Sequence, residues 1–247
     1  MRRKEKENKV EPKIIFEDAQ LLVLDKPAGV IVNEALTTKN QPVLQSWLSK
    51  RDYPLAKSRE ERGGIVHRLD KETSGIILVA KTKSAFASLQ RQFKERKVKK
   101  TYLALLHGSL NEKVGKIEVP VGRLPWRRDR FGVLAGGRAS KSSYNVVAEY
   151  EKEGERFSLV EVTPQTGRTH QIRIHFKYLG HPVVSDEFYA GRKTARGDRK
   201  WCPRLFLHAA SIEFFHPERG QKVRFSSALA ADLAAALVTL EKLRETN

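Results

Sequence analysis

The stretch "IVHRLDKETSGIILVAKT", residues 65–82, joins a charged motif to an apolar run within the first third of the chain. Its second half, residues 75–82, is apolar over the length of a strand, which predicts a buried strand. Its first half places Asp70 beside Arg68 and Lys71, with a Thr-Ser-Gly turn directly after. A carboxylate so close to cations is either ordinary salt-bridge material or an acid that is held ionised for chemistry. This segment alone leaves both interpretations open.

The composition around this stretch indicates an acidic polymer as partner. The 247 residues include 47 lysines and arginines against 29 acids, a net charge of +18, and nucleic acid is the first partner that such a charge suggests. No run approaches the roughly 18 apolar residues of a membrane span, and the charged N-terminus lacks the apolar stretch of a secretory signal. We therefore expect a soluble, cytoplasmic protein.

Metal and redox chemistry have little support in the sequence. Cys202 is the only cysteine, so an intramolecular disulfide and a cysteine zinc cluster are both excluded. The seven histidines are scattered, without an HExxH motif or another spacing that is typical of metal ligands. We expect no metal and no other cofactor.

The apolar patterning predicts a single mixed α+β domain over residues 13–247, built on a largely antiparallel central sheet with flanking helices. Residues 1–12 read as a disordered basic tail. Strands are expected within residues 16–35, 75–82, 97–108, 142–150, 157–164 and 204–227. Helices are expected over residues 41–50, 83–96 and 166–180, and along a final leucine stripe at Leu229, Leu233, Leu237, Leu240 and Leu243.

Two predicted loops, residues 122–141 and 189–204, concentrate positive charge. Each holds six basic residues and one acid, with aromatic residues between them. Basic side chains neutralise phosphates and aromatic rings stack on unpaired bases, so both loops are candidate RNA contacts. The alternative is a pair of solvated loops whose aromatic residues cover the core. The basic and aromatic candidates are Arg123, Trp126, Arg127, Arg128, Arg130, Phe131, Tyr189, Arg192, Lys193, Arg196 and Trp201.

Two familiar enzyme classes do not fit the motif around Asp70. The letters "HRLD" differ from the H-R-D of a kinase catalytic loop, and neither a glycine-rich phosphate loop nor a DFG motif accompanies them. A G-x-S-x-G nucleophile elbow is also missing. What remains is a carboxylate that nearby guanidinium groups would keep ionised, and such a group is a competent nucleophile or base when it is oriented. A surface salt bridge or a turn-capping aspartate is the alternative.

A second motif, "TGRTHQIRIH" at residues 166–175, strengthens the chemical interpretation. It brings two arginines, two histidines and a glutamine together within eight residues at a predicted helix N-terminus. A helix that only packs against a core has no need of so many hydrogen-bond donors in its first two turns. These side chains are also compatible with a role as phosphate clamps alone.

Together, "EDAQLLVLDKPAGV", "HRLDKETSG", "KTYLALLHG", "TGRTHQIRIH" and "RLFLHA" resemble the RluA branch of the pseudouridine synthases. That branch has HRLD where the RsuA branch has GRLD. The resemblance runs from about residue 14 to residue 220. It implies the pseudouridine synthase fold and a cofactor-independent isomerisation, in which a uracil flipped out of its RNA is detached, turned and rejoined through carbon 5.

The resemblance also implies roles for individual residues. Asp70 matches the catalytic aspartate, and Tyr102 matches a tyrosine that stacks under the base and is implicated in proton removal. Arg168 matches the arginine that pairs with the catalytic carboxylate, and Leu207 matches an apolar residue packed against the uracil. Arg68 is placed to fill the space that the flipped base leaves, with a phosphate contact as the alternative.

The remaining candidates for substrate binding lie beside these residues. His67 is predicted to contact a phosphate or to support the residues that do. A core histidine that is hydrogen-bonded to the backbone is an equally good interpretation. Thr169, His170, Gln171 and Arg173 come from the second motif and are predicted to bind the substrate.

The chain departs from the family pattern in two places. Residues 32–34 read Val-Asn-Glu where many members have VHP, which puts an RNA contact of that loop in doubt. The ribosomal-protein-like S4 module that often precedes this catalytic domain is not found before it. Members without that module act on tRNA, on large-subunit rRNA or on both, so we expect a monomeric enzyme whose partner is rRNA, tRNA or both.

Two other functions compete with this hypothesis. One is a non-catalytic RNA-binding or ribosome-assembly factor on the same fold, which would have no need to keep an acid among phosphates. The other is an enzyme acting on a free phosphorylated nucleotide or other small molecule, against which the +18 charge argues.

Overall fold

The computed structural model describes residues 11–35, 38 and 41–243, apart from the side chains of Arg128 and Asp129. The predicted tail over residues 1–12 therefore lies mostly outside the described residues, as does the predicted RNA contact of the Arg128 side chain.

Twelve strands and five α-helices follow one another in the described part of the chain. The strands are β1 Lys13–Glu17, β2 Leu21–Lys26, β3 Ser74–Ala80, β4 Lys99–His107, β5 Val114–Glu118, β6 Val121–Leu124, β7 Arg127–Val133, β8 Lys141–Lys152, β9 Glu155–Pro164, β10 Leu207–Phe215, β11 Lys222–Ser226 and β12 Glu241–Lys242. The helices are α1 Leu44–Leu48, α2 Lys83–Lys94, α3 Gln171–Tyr178, α4 Arg192–Asp198 and α5 Ala231–Val238.

Ten of these strands form one sheet, in which the order β1-β2-β3-β10-β4-β9-β8-β12 is extended by β11 beside β10 and β5 beside β8. All pairings are antiparallel except that between β3 and β10. The predicted α+β fold with a largely antiparallel central sheet is confirmed. Among the described residues, no helix has the length and apolar character needed to cross a membrane.

The central strand order brings together segments that are far apart in sequence. Because β3 and β10 are parallel, their first residues lie at the same edge of the sheet, with Ser74 opposite His208. The antiparallel partner of β10 on its other side is β4, where Tyr102 faces Ala209. The segment before β3, the start of β10 and the middle of β4 therefore lie close together, at the end of the central strands where β3 and β10 begin.

The close approach of β3 to β10 depends on a glycine. Gly75 has a φ of +108°, and a Cβ there would lie 2.3 Å from the carbonyl oxygen of Ala209 and 2.7 Å from its nitrogen. Glycine is the residue that combines this backbone conformation with this close a contact. The Thr-Ser-Gly turn after Asp70 thus ends in the residue that lets the two strands pair.

Packing on both faces explains the apolar runs of the sequence. Every residue of β3 is buried, as its continuous apolar pattern predicts. One core on the sheet takes in Leu105, Phe157 and Phe206, and a second takes in Leu78, Leu89 and Phe214. The sheet is therefore covered on both sides, and its edge near residues 70–75 remains for the site.

The helix predicted over residues 41–50 covers only Leu44–Leu48 in the structure. Three other predicted helices also have different limits. The helix predicted over residues 83–96 starts at Lys83 as expected and ends at Lys94. The final helix covers only residues 231–238, so Leu229, Leu240 and Leu243 lie outside it, although Leu240 is still buried.

The third difference matters most for the site. The helix predicted over residues 166–180 starts at Gln171, after His170 in the left-handed conformation with φ 54°. The first five residues of the motif therefore form a turn. At its other end the helix stops at Tyr178, and Gly180, with a φ of +85°, follows the C-cap Leu179.

The two charged segments predicted as loops contain regular structure. Residues 121–133 form a separate two-stranded hairpin, β6 with β7, which turns at Pro125 and Trp126. Residues 192–198 form α4. The density of charged and turn-forming residues obscured both elements, since neither shows a strong apolar period.

Replacing Gly75 with alanine tests the closure of the sheet. The added methyl group would meet the Ala209 backbone in a conformation that L-residues avoid, so we expect the free energy of unfolding to fall by at least about 3 kcal/mol. Urea denaturation of purified protein measures this change.

The matched control is Gly154→Ala. Gly154 has a similar positive φ of +81°, but a Cβ there would meet nothing within 4 Å. We expect Gly154→Ala to lower the free energy of unfolding by about 1–2 kcal/mol, the cost of the left-handed backbone conformation alone. Equal losses in the two variants would contradict a role for the close contact with Ala209.

Candidate active site

A cleft opens at the end of the sheet where the central strands β3 and β10 begin beside β4. It is lined by Asp70 and by side chains from the turn before α3, from β4 and from the start of β10. The residues that line it are Arg68, Leu69, Asp70, Thr73, Lys100, Tyr102, Pro164, Thr166, Gly167, Arg168, Thr169, His170, Gln171, Ile172, Arg173 and Leu207. Most of the predicted site residues, drawn from four distant motifs, are therefore brought together.

Asp70 is partly buried in this cleft, with 19% of its side chain exposed. Its Oδ2 lies 3.3 Å from Nη1 of Arg173, and its Oδ1 lies 3.9 Å from Nε2 of His170. The carboxylate therefore faces an arginine and a histidine, and it remains open to a ligand.

Arg173 is itself held by a second carboxylate. Its Nε donates to Oδ2 of Asp186 at 2.7 Å and its Nη2 donates to Oδ1 at 2.8 Å, a two-point ion pair between side chains that are at most 5% exposed. Burial by itself would lower the pKa of Arg173, but the hydrogen bond and charge of Asp186, with the charge of Asp70, raise it instead. The guanidinium is thus permanently charged and fixed in direction.

The predicted pairing of Arg168 with Asp70 is wrong in this structure. Nε of Arg168 donates to the carbonyl oxygen of Ala139 at 3.2 Å, and Arg173 makes the contact with Asp70. The cause is the later start of α3, which leaves Arg168 in the preceding turn and puts Arg173 in the first turn of the helix, facing the cleft.

His170 and Thr169 lie in the same turn and both line the cleft, as predicted for substrate contacts. Nδ1 of His170 is 2.9 Å from the hydroxyl of Tyr189. Burial lowers the pKa of His170, Asp70 opposes that shift and Arg173 adds to it, so the ring is neutral at physiological pH. The hydrogen bond to Tyr189 fixes the ring beside Asp70.

Gln171 shapes the turn with its own side chain. Its Oε1 accepts hydrogen bonds from Thr166 Oγ1 at 2.6 Å and from the backbone nitrogen of Arg168 at 3.0 Å. Its Nε2 donates to Lys141 and Ser142. Because the amide is 4% exposed and engaged at both ends, the predicted substrate contact through it is not supported.

Tyr102 and Leu207 form the apolar wall of the cleft, as predicted. They lie on the paired strands β4 and β10 and are 8% and 3% exposed. Burial, helped by the negative charge of Asp70, raises the pKa of Tyr102 above its usual range. Its phenol is therefore protonated at physiological pH, and the wall can receive a flat, uncharged ring.

His67 and Arg68 have different environments although they are neighbours. The backbone nitrogen of Leu78 donates to Nε2 of His67 at 2.9 Å, and the ring stacks on Phe93 at 5.2 Å. Burial and the charge of Lys100 lower the pKa of His67 to about 3. The predicted substrate contact of His67 is wrong, and its alternative of a backbone-bonded histidine is what the structure shows. Arg68 is exposed and lines the cleft.

A buried lysine that was not among the predicted site residues stabilises the turn that carries Asp70. Lys26 is fully buried, and its Nζ donates to the carbonyl oxygens of Pro27, Val30 and Lys71 at 2.8, 2.9 and 3.2 Å. Three N–H groups thus meet three acceptors. The lysine joins the turn after β2 to the residue that follows Asp70.

Arg204 braces the same turn from the other side. Its Nη1 donates to the carbonyl oxygen of Glu72 at 3.2 Å, its Nη2 donates to Ser74 Oγ at 3.0 Å, and its Nε donates to Asp232 at 2.6 Å. Ser74 Oγ is also 2.9 Å from Nδ1 of His208. The "RLFLHA" motif thus contains these supports as well as Leu207, but its letters alone do not show which residues they contact.

The hairpin β6–β7 lies beside the cleft and carries part of the predicted RNA surface. Trp126 at its tip is 70% exposed. Arg123 lies over the ring of Phe131 at 5.0 Å and lines a neighbouring cavity with Arg168 and Thr169. Nη1 of Arg130 donates to the carbonyl oxygen of Phe188. Arg127 is exposed on the same hairpin.

The second charged segment supports the prediction only in part. Arg192, Lys193 and Arg196 are exposed on α4, but none of them lines the cleft. Tyr189 is buried with its hydroxyl bonded to His170, and Trp201 packs edge-on against Phe157 in the core. Here the aromatic residues cover the core, which was the alternative interpretation.

No metal is implied by the donor sets that the structure brings together. Across residues 11–35, 38 and 41–243, the histidine, cysteine and acidic side chains form no group of three placed to hold an ion.

Comparisons with known proteins identify the family. A model of the RNA pseudouridylate synthase family matches residues 20–178. The ribosomal large subunit pseudouridine synthase D of Nitrosomonas europaea is 38% identical over 235 residues, which cover 94% of this chain and 66% of that protein. Synthase D of Pseudomonas aeruginosa is 34% identical, over 96% of this chain and 74% of that protein. The present chain thus spans about two thirds to three quarters of the length of these relatives.

Solved structures agree with the sequence comparison. Human RNA pseudouridylate synthase domain containing 1 superposes with a TM-score of 0.73 and 28% identity, covering 95% of this chain and 89% of that chain. This chain belongs to the RNA pseudouridylate synthase family, and the predicted resemblance to the RluA branch is confirmed.

Replacing Lys26 with methionine tests the support behind Asp70. Methionine fills a similar volume but leaves the carbonyl groups of Pro27, Val30 and Lys71 without their donor. We expect the free energy of unfolding to fall by about 3 kcal/mol, since each unsatisfied buried acceptor costs about 1–3 kcal/mol and the losses overlap. Urea denaturation measures the change.

Lys71→Met is the control, because Lys71 is exposed and its ammonium group donates to the side chain of Gln41 at the surface. That variant should lie within about 0.5 kcal/mol of the wild type. If the Lys26 variant were as stable as the Lys71 variant, the three hydrogen bonds would not be what holds the turn.

Proposed function

We propose that this protein is an RNA pseudouridine synthase that isomerises uridines in large-subunit rRNA. The observation that carries the proposal is the contact between Asp70 and the fixed guanidinium of Arg173, in a cleft that is walled by Tyr102 and Leu207. The names of the relatives add support for a ribosomal RNA substrate. We assign the reaction to the cytoplasm, and tRNA is the second substrate class to test.

In the proposed reaction Asp70 is the attacking carboxylate. Asp70 bonds to C1′ of the ribose as the bond between C1′ and N1 of the uracil breaks. The uracil turns, a bond forms between C1′ and C5, and the bond between Asp70 and C1′ breaks, which regenerates the carboxylate. The proton leaves C5 and N1 ends protonated, so the product is an isomer of the substrate and no external group is consumed. This balance fits a cleft that supplies a carboxylate, a neutral phenol and apolar walls.

Arg173 takes the role that sequence resemblance gave to Arg168. A carboxylate next to a permanent positive charge stays ionised, and the two-point ion pair with Asp186 aims that charge at Asp70. The nucleophile is thereby oriented before the substrate arrives. Arg168 and Thr169, at the mouth of the cleft, are assigned to the RNA backbone.

Tyr102 and Leu207 receive the uracil between them. Tyr102 stacks against the base, and because burial keeps its phenol protonated it assists proton removal only as a neutral relay. Leu207 supplies the apolar contact that lets a detached uracil turn without being bound by hydrogen bonds. His170, fixed by Tyr189, lies at the rim beside Asp70.

A target uridine must leave its stack to reach Asp70, at a cost of a few kcal/mol. Arg68 is exposed at the cleft and is assigned to the space that the base vacates, or to a phosphate beside it. The hairpin β6–β7 would hold the flanking RNA, with Trp126 as a stacking surface and its arginines on phosphates.

The experiment compares wild type and Asp70→Asn on unmodified RNA. Large-subunit rRNA, free and in partly assembled ribosomal particles, and total tRNA are incubated with each protein, and pseudouridine is mapped by carbodiimide labelling and reverse transcription. Wild type should produce discrete stops. Loss of the carboxylate charge should lower the rate at least about 10³-fold, while RNA binding is kept.

Asp52→Asn is the matched control, because Asp52 is exposed and does not line the cleft. It should modify RNA at the wild-type rate. RNA that is bound by all three proteins and modified by none would reject the synthase in favour of a non-catalytic RNA-binding or ribosome-assembly factor.

A further inference from the structure

Lys100 lines the cleft but has no role in the proposed reaction. It lies on β4 two residues before Tyr102, and side chains two apart on a strand point to the same face. Its ammonium group therefore enters the cleft beside the ring that receives the uracil. In the sequence Lys100 is only the first residue of "KTYLALLHG", and nothing in that motif distinguishes it from the neighbouring lysines.

Among the residues that the structure describes, no carboxylate neutralises Lys100. Its Nζ lies 5.9 Å from the centre of the Phe93 ring and would be 3.9 Å from a Cβ at Gly167. Within the described part of the chain, Lys100 forms neither an ion pair nor a hydrogen bond. Burial alone lowers its pKa, with no opposing carboxylate. An ammonium group with three donors is costly in such a place unless an anion joins it.

The other cations of the cleft are differently placed. Arg173 is engaged by Asp186 and Asp70, and Nε of Arg168 donates to the Ala139 carbonyl. Arg68 is exposed at the mouth. Lys100 is thus a recessed cation on the cleft wall whose charge is available to a ligand.

We propose that Lys100 binds a phosphodiester that flanks the flipped uridine. The inference rests on the proposed function, since it places the uracil against Tyr102. Residues two apart on a strand are about 7 Å apart, so with the uracil on Tyr102 the ammonium group of Lys100 is within reach of a phosphate that flanks the flipped nucleotide. A phosphate held there would fix how deeply the nucleotide enters and thereby set C1′ against Asp70.

The test removes the charge either from a phosphate of the RNA or from Lys100. A short synthetic RNA hairpin containing a uridine that wild type modifies is prepared in three forms: unaltered, with a neutral methylphosphonate on the 5′ side of that uridine, and with one on its 3′ side. The proteins are wild type, Lys100→Met and Lys100→Arg. If thermal melting shows that Lys100→Met does not fold, Lys100→Gln takes its place.

Lys99→Met is the matched control. It removes the same charge from the adjacent residue, which is exposed and points to the opposite face of β4. Its kcat/KM should stay within about twofold of wild type, and its sensitivity to the neutral linkages should match that of wild type.

We expect one neutral linkage to lower the wild-type kcat/KM about tenfold, the effect of losing one charge-assisted hydrogen bond. Lys100→Met should show the same loss with unaltered RNA and no further loss with that linkage, and Lys100→Arg should recover most of the activity. Equal sensitivity of wild type and Lys100→Met to both linkages would overturn the inference. Absence of pseudouridine with wild-type protein on any RNA would instead reject the proposed function, and the inference with it.

Discussion

The buried ion pair between Asp186 and Arg173 is the interaction on which the site depends. A guanidinium that is 5% exposed is tolerated because a fully buried carboxylate neutralises it through two hydrogen bonds. Its remaining nitrogen then points into the cleft, where it meets Asp70. The protein thus uses one aspartate to position an arginine and that arginine to position a second aspartate.

The second aspartate, Asp70, is also constrained through the backbone that follows it. Lys26 binds the carbonyl of Lys71, and Arg204 binds the carbonyl of Glu72. Gly75, which has no Cβ, then allows the backbone of β3 to pack closely against Ala209 of β10. A turn fixed at successive residues loses little entropy when it binds a substrate, which is an advantage for a nucleophile that must meet one carbon atom.

Much of the fold and part of the site follow from local patterns. The apolar run after Asp70 predicts β3, and the alternation around Tyr102 predicts β4, because strand burial is written in successive residues. Asp70, Tyr102 and Leu207 are each recognised by their own motif. Their meeting in one cleft was expected only through the resemblance, since no local pattern specifies which strands pair.

The errors arose where a tertiary contact decides between equivalent residues. Arg168 and Arg173 are both arginines in one motif, and only the start of α3 and the position of Asp186 select Arg173. His67 sits beside two cleft residues but turns to Leu78. Tyr189 looked like an exposed stacking residue and is buried. In each case the composition was compatible with either outcome.

The most direct measurement is the single-turnover rate of Arg173→Lys on an RNA that wild type modifies, beside its affinity for the same RNA. Lysine keeps the positive charge but cannot hold Asp186 at two points while reaching Asp70. We expect the rate to fall about 100-fold and the dissociation constant to change less than about threefold. A rate within threefold of wild type would show that the orientation of Asp70 does not depend on the guanidinium held by Asp186.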